Sequence, residues 1–277
     1  MQNFITKANR NSFGVSTATW GSSIQLCKMK SGRTYTVYQE TWNTRTNYYV
    51  DLFVYHLEDI IKEVKENGNP VKEVLELGMG RGVISIGIAL LTEQNTRILG
   101  IDIQESTKRL VHKNASINGV DHKIEVRIGN LFSSVNKDEK FDMIVFDLPH
   151  IPVNSLKYKS EIALRIPEFI NINGGADGRR LVDSALTEAF SFLNQGGVVI
   201  FTQPCFIGIN RTLKLLERSG FNSSILIQKE WPLAKTKFTK ENRKYIETIN
   251  DYSFAKNTEG ESIFFLNIIK GVKRIGS

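Results

Sequence analysis

Four short stretches carry residues whose types and spacing suit the holding of a small ligand and a reaction beside it. The first is Glu76-Leu77-Gly78-Met79-Gly80-Arg81-Gly82, with glycine at every second place directly after the apolar Val74-Leu75. Glycines so spaced let a loop turn tightly and lie against a ligand where a Cβ would collide, with the first amides of a following helix aimed at it. A strand-to-helix connection without any ligand would use the same residues. The second is Asp102, which closes the apolar run 98–101 and is placed to grip vicinal ribose hydroxyls, or equally to cap a helix. In the third, Gly129-Asn130-Leu131-Phe132, a backbone amide can meet an adenine edge. The fourth, Asp147-Leu148-Pro149-His150, offers a carboxylate acceptor and an imidazole.

Each stretch follows a segment that reads as a β-strand, and the strands alternate with helical patterns from Val71 onward. That alternation predicts an α/β fold: a seven-stranded, mostly parallel sheet with helices on both faces. The expected strands are 74–77, 97–102, 124–128, 141–147, 198–202, 223–228 and 262–269, and the expected helices 83–91, 105–118, 178–193 and 210–219. Ligands in such sheets bind beyond the carboxyl ends of the strands, where all four stretches fall. A polar insertion over 229–261 separates the last two strands; it mixes cations with aromatics but is diluted by Glu230, Glu241 and Glu247. Ahead of the sheet, 24–29 and 34–38 alternate in the strand period around Lys30-Ser31-Gly32-Arg33, predicting a small N-terminal β-hairpin, and a helix over 51–64 is stopped by Asn67-Gly68-Asn69-Pro70. The expected division is residues 1–50 as an aromatic extension covering substrate, or packing as a plain hairpin on the core, and 51–277 as the main domain.

With 277 residues and 41% hydrophobic content, the chain can bury one substantial core. No apolar run reaches signal-peptide or membrane-span length, so a cytoplasmic location is expected, with no membrane partner. Cys27 and Cys205 stand far apart with no metal-ligand spacing around either, so reduced thiols and no metal are expected. The net charge of +7 favours anionic partners in general without singling out nucleic acid.

A dinucleotide fingerprint would place a third glycine where Val83 stands. The glycine loop, the acid after the second strand and the seven-strand count favour a methyl donor instead. Residues 74–269 resemble the class I S-adenosylmethionine-dependent methyltransferases, and within them the HemK/PrmC-like N-methyltransferases. These carry a similar glycine loop, an acid like Asp102, a Gly-Asp-Leu-Phe turn, an Asn-Pro-Pro-Tyr motif after the fourth strand and a glycine-rich segment like 174–178. The resemblance implies that Glu76, Leu77, Gly78, Gly80, Gly82, Asp102, Ile103, Asn130, Leu131 and Asp147 hold S-adenosylmethionine, which leaves as S-adenosylhomocysteine. It places Asp147, Pro149 and His150 at the catalytic position.

The departures bear on the acceptor. Asp147 replaces asparagine, His150 replaces tyrosine, Asn130 replaces aspartate, and a hairpin stands where the release-factor enzymes carry a helical bundle. A carboxylate suits a nitrogen that becomes cationic as it is methylated. This points to an amine of a peptide or peptide-derived small molecule, similar in kind to the peptide-antibiotic amine methyltransferases of the plantazolicin type. His150 would stack on the acceptor, take a proton near neutral pH or merely line the cleft. Trp20, Trp42 and Arg45 of the aromatic N-terminal segment are candidate substrate contacts. The alternatives are HemK-like methylation of a protein glutamine amide, methylation of an adenine amine in RNA or DNA, and a non-catalytic donor-binding interaction subunit.

Overall fold

The computed structural model describes residues 14–19, 22–40, 48–66, 68, 70–153, 172–236 and 238–275, without the side chains of 14–19, 22–23 and 39–40. Trp20, Trp42 and Arg45 lie outside the described residues. The chain forms two compact units, residues 1–136 and 137–277.

The first unit opens with an antiparallel sheet of β1 (Gly14–Thr19), β2 (Ser22–Lys28) and β3 (Thr34–Glu40), in that order. The expected hairpin is β2–β3; β1 is an addition. The predicted helix over 51–64 is two helices, α1 (Tyr48–Tyr55) and α2 (Leu57–Glu66), broken at His56. Then follow β4 (Glu73–Leu77), α3 (Val83–Leu91), β5 (Arg97–Asp102), α4 (Ser106–Ile117) and β6 (Ile124–Ile128), close to the periods read in the sequence. The three strands run parallel, with β5 between β4 and β6. β4 and β5 are almost wholly buried, so they read as continuous apolar runs rather than alternating ones.

Within this unit β3 docks on α4 through two asparagines. The Asn114 amide accepts from Tyr38 N at 2.7 Å and donates to Tyr38 O at 3.1 Å, while Asn118 accepts from Thr36 N at 3.2 Å and donates to Thr36 O at 2.7 Å. Four residues of helix, about 6 Å, nearly match two residues of strand, about 6.8 Å, so the two side chains continue the ladder of the sheet. Tyr35 and Val37 point the other way into the core, and Tyr35 Oη donates to Val83 O at 2.7 Å. Gly87 on α3 leaves room for this contact, since a Cβ there would lie 2.6 Å from Leu57 and 3.0 Å from the Tyr35 hydroxyl. These described parts of the extension are therefore core elements of the first unit, beyond the hairpin packing that the sequence suggests.

In the second unit β7 (Phe141–Phe146) pairs in parallel with β8 (Leu193–Pro204), and α5 (Arg180–Phe192) connects them. A 3-10 turn, Cys205–Ile207, leads into α6 (Ile209–Arg218) and β9 (Phe221–Pro232). The strand β11 (Ser262–Lys273) runs antiparallel to both β8 and β9. Phe146 and Phe201 stack in the core at 4.7 Å. Among the described residues, β4 to β9 and β11 are the seven expected strands, mostly parallel and flanked by helices; the two-residue β10 (Ala255–Lys256) is added. The predicted polar insertion is more structured than its composition suggested. β9 runs into it as far as Pro232, and α7 (Lys240–Ile249) begins at a capping box between Thr239 and Asn242.

Candidate active site

The glycine loop lies between β4 and α3. Gly78, Gly80 and Gly82 all have left-handed backbones, with φ of 69°, 55° and 75°, which explains glycine at each place. The amides of Gly78 and Met79 donate to Ile101 O at 2.8 and 3.1 Å, which fastens the loop to β5. A Cβ at Gly82 would press on Val111 at 3.2 Å, whereas one at Gly80 would enter open space. The open side of the cradle is therefore at Gly80. Met79 is buried and fills the place where Gly100 would carry a side chain, a Cβ there falling 1.9 Å from its sulfur.

Two acids frame the loop. Asp102 Oδ2 accepts the Gly80 amide at 2.8 Å and Oδ1 accepts the Gln104 amide at 2.9 Å. Two carboxylate oxygens carry about four lone-pair positions, so acceptor capacity remains for a vicinal diol. Glu76 is buried, and its Oε2 accepts both the amide of Ser85, at 3.0 Å, and the Ser85 hydroxyl. Ser85 is the third residue of α3, so Glu76 satisfies an otherwise unpaired amide of the helix start. Leu77 is buried beside it. Arg81 turns inward: burial lowers its pKa, opposed by the electrostatic pull of Cys27, Asp51 and Tyr35.

Ile103, directly after Asp102, leaves 58% of its surface exposed. In the turn after β6 the Asn130 amide donates to Ser133 Oγ at 2.8 Å, so that amide is engaged within its own turn. The next residue, Leu131, holds a left-handed φ of 51°, a strained conformation for a leucine. The open glycine cradle and the acceptor capacity of Asp102 fit a nucleoside carrying a sulfonium side chain. No group of His, Cys, Asp and Glu able to hold a metal occurs among the described residues.

The candidate acceptor residues are all in the second unit, just after β7. Asp147 Oδ1 accepts a hydrogen bond from Thr202, a buried residue of β8. His150 is buried and its Nδ1 lies 2.8 Å from Leu148 O, so Nδ1 carries the proton and Nε2 is the acceptor nitrogen. Burial lowers the His150 pKa to about 4, against a smaller upward push from that carbonyl bond. It is thus neutral at pH 7. Pro149, between them, is partly exposed.

The glycine-rich segment clasps this corner. Ile151 N donates to Ile172 O at 3.0 Å, Gly174 N to Ile151 O at 3.0 Å and Val153 N to Gly175 O at 2.9 Å. Gly174 and Gly178 lie against His150, a Cβ at either falling 2.6 Å or less from its backbone. Sequence reasoning missed Thr202, Ser85, Met79 and Arg179. Only Thr202 left a sequence signal, a hydroxyl at the end of the strand expected beside the Asp147 strand.

A methyltransferase-domain family model matches residues 69–258. A Methanocaldococcus jannaschii protein, provisionally named as a protein N5-glutamine methyltransferase, is 33% identical over 156 residues, spanning 56% of this chain and 73% of that protein. The release factor glutamine methyltransferase of Clostridium botulinum is 23% identical over 176 residues, 62% of this chain and 60% of that enzyme. The Burkholderia pseudomallei ribosomal protein uL3 glutamine methyltransferase is 26% identical, and the match spans 57% of that enzyme. In structure, the chain is similar to the T. Thermophilus 16S rRNA N2 methyltransferase in complex with AdoMet and guanosine. The TM-score is 0.57 at 13% identity, covering 92% of this chain and 52% of that one, a likeness of fold alone. The chain belongs to the class I S-adenosylmethionine-dependent methyltransferases. Within that class it is a member of the HemK/PrmC-like group.

Proposed function

We propose that this protein methylates the side-chain amide nitrogen of a glutamine in a protein acceptor. The observation that carries the reading is the 33% identity over 156 residues to a protein named as a protein N5-glutamine methyltransferase, and Asp147, held by Thr202 at the end of β7, is the group available to accept the amide N–H. The relatives named for glutamine methylation of release factors and of a ribosomal protein support it.

Asp102 and the glycine loop are the groups assigned to the donor, the acid through ribose hydroxyls and the loop through the open space beside Gly80. When bound, the donor supplies a methyl group on a sulfonium, and the carbon–sulfur pair returns to sulfur as the nitrogen–carbon bond forms. Asp147 accepts one amide N–H, which orients the nitrogen for in-line displacement and disperses the charge that develops there. The nitrogen then loses a proton to water, leaving the N-methyl amide. His150, neutral and buried, supplies a wall and an acceptor rather than an acid.

The second reading, an amine acceptor, is favoured by the carboxylate at 147, because a charged partner suits a cationic product better than a neutral amide. Asp147→Asn separates the two. With a bacterial release factor, labelled S-adenosylmethionine and mass spectrometry of the product, an amide acceptor predicts a methylated glutamine that survives this change within about tenfold, since asparagine still accepts the N–H. No label in the release factor, together with methylation of peptide amines that the change abolishes, would favour the amine.

A further inference from the structure

Among the described residues Arg179 is the largest side chain essentially removed from solvent, at 1% exposure, and its guanidinium is shared among three elements. Nη1 donates toward Ile207 O at 2.7 Å, Gly208 O at 3.1 Å and Thr212 Oγ1 at 2.9 Å. Nε and Nη2 form a fork on the two carboxylate oxygens of Asp183, one turn along α5. The backbone amide of Arg179 donates to Asp177 Oδ1 at 3.1 Å, and Arg211 bridges Asp177 and Asp183 from the solvent side. Immediately before it stands Gly178, whose left-handed φ of 81° brings the chain so close that a Cβ would lie 2.5 Å from His150 O.

From this placement, and resting on the acceptor reading above, we infer that Arg179 is a positioning residue for the acceptor side of the reaction. It touches none of the reacting groups. Its Nη1 bonds fix the clasp 174–178 to the turn Cys205–Ile207 and to α6 while the fork anchors it on α5, and the clasp in turn fixes the backbone of His150 and the corner that carries Asp147. The insertion adds a second fastening, because Tyr245 Oη donates to Ala176 O at 3.1 Å and Asn250 Nδ2 to Asp177 O at 3.3 Å. A planar, five-donor guanidinium can serve Asp183 and the carbonyls of Ile207 and Gly208 together, whereas the point charge of a lysine serves one side. Arg179→Lys therefore loosens the clasp while keeping the charge, and Asp183→Asn loosens it more gently from the solvent-facing end.

Hydrogen–deuterium exchange with the full chain tests the coupling without needing an identified acceptor. In Arg179→Lys the amides of Ile151, Val153, Gly174 and Arg180 exchange roughly tenfold or more faster, those of α3 are unchanged, and Asp183→Asn gives the same pattern at smaller amplitude. With the release factor as acceptor, kcat/KM for the acceptor in Arg179→Lys falls roughly a hundredfold, the KM for S-adenosylmethionine stays within about threefold, and Asp183→Glu, which keeps a carboxylate for the guanidinium, retains most of the turnover. Unchanged exchange at these four amides overturns the inference, and so does a parallel loss in donor and acceptor parameters, which marks a purely structural residue. If the release factor is not methylated even by the unaltered protein, the acceptor reading fails, while the exchange pattern still decides the role of Arg179 in fastening this corner.

Discussion

The hydroxyl of Thr202 donates to Asp147 Oδ1 across the ends of two neighbouring parallel strands, β7 and β8. It limits the rotation of the carboxylate and takes up part of its charge, so Asp147 is held in one orientation. Thr202→Val removes the donor while keeping the shape. A hydrogen bond to a charged group contributes about 1.5–3 kcal/mol, so turnover is expected to fall roughly 10- to 100-fold. Thr202→Ser should retain most of it. Single-turnover rates check this, and a valine variant as active as serine would remove Thr202 from the account.

His150 gives a pH prediction. Its folded pKa of about 4 lies below the ordinary value of 6.5, so between these limits the unfolded chain binds more protons than the folded one. Stability from this group is complete above pH 6.5 and is lost as the pH falls toward 4. The loss is on the order of 3 kcal/mol. Urea unfolding of the wild type and of His150→Gln at several pH values isolates it: the difference between the two should change across pH 4–6.5 and be flat above.

Gly100 and Met79 form a matched pair, the absence of a side chain at one making room for the other. Gly100→Ala should displace Met79 and with it the glycine loop, costing about 1–3 kcal/mol of stability and weakening donor binding. Adding Met79→Ala to Gly100→Ala should recover donor affinity, as coupled neighbours do in a double-mutant cycle. Calorimetric titration with S-adenosylhomocysteine reads this directly; additive effects would show the two to be independent.

Asn114 is fully buried and satisfies both backbone groups of Tyr38 as well as Arg81 O, at 3.0 Å. Replacing it with alanine orphans these groups, at about 1–3 kcal/mol for each one left unsatisfied in the interior. Asn114→Ala is thus expected to lower the midpoint of thermal unfolding more than Asn118→Ala, because Asn118 itself is only partly buried. Equal midpoints would contradict the ranking.

Much of this molecule was legible in the sequence because it depends on local periodicity. The run 83–91 is apolar all round, as a buried helix must be, and the three glycines before it announce a left-handed loop. The donor-side candidates lie on that local pattern. What was not legible depends on distant partners. Nothing near Arg179 in the chain reveals that the carbonyls of Ile207 and Gly208 await it, and the neutrality of His150 follows from burial beneath a segment more than twenty residues away. The helix α7 escaped because it is polar, with only Ile246 buried, so its hydrophobic period is faint. The extension reads either as a substrate cover or as a hairpin packed on the core, and its described part packs on the core, held by Tyr35 and by two asparagines on α4.

The asparagine pair has a consequence for behaviour at high concentration. β3 is the last strand of its small sheet, and such an edge displays unpaired amides and carbonyls that can recruit a strand from another molecule. Proteins commonly blunt these edges with charge, proline or bulges. Here two side-chain amides occupy the groups of Thr36 and Tyr38, and the Lys113 ammonium lies over the Tyr38 ring at 3.1 Å. α4 thereby acts as a guard against runaway strand addition, at the border where the extension begins.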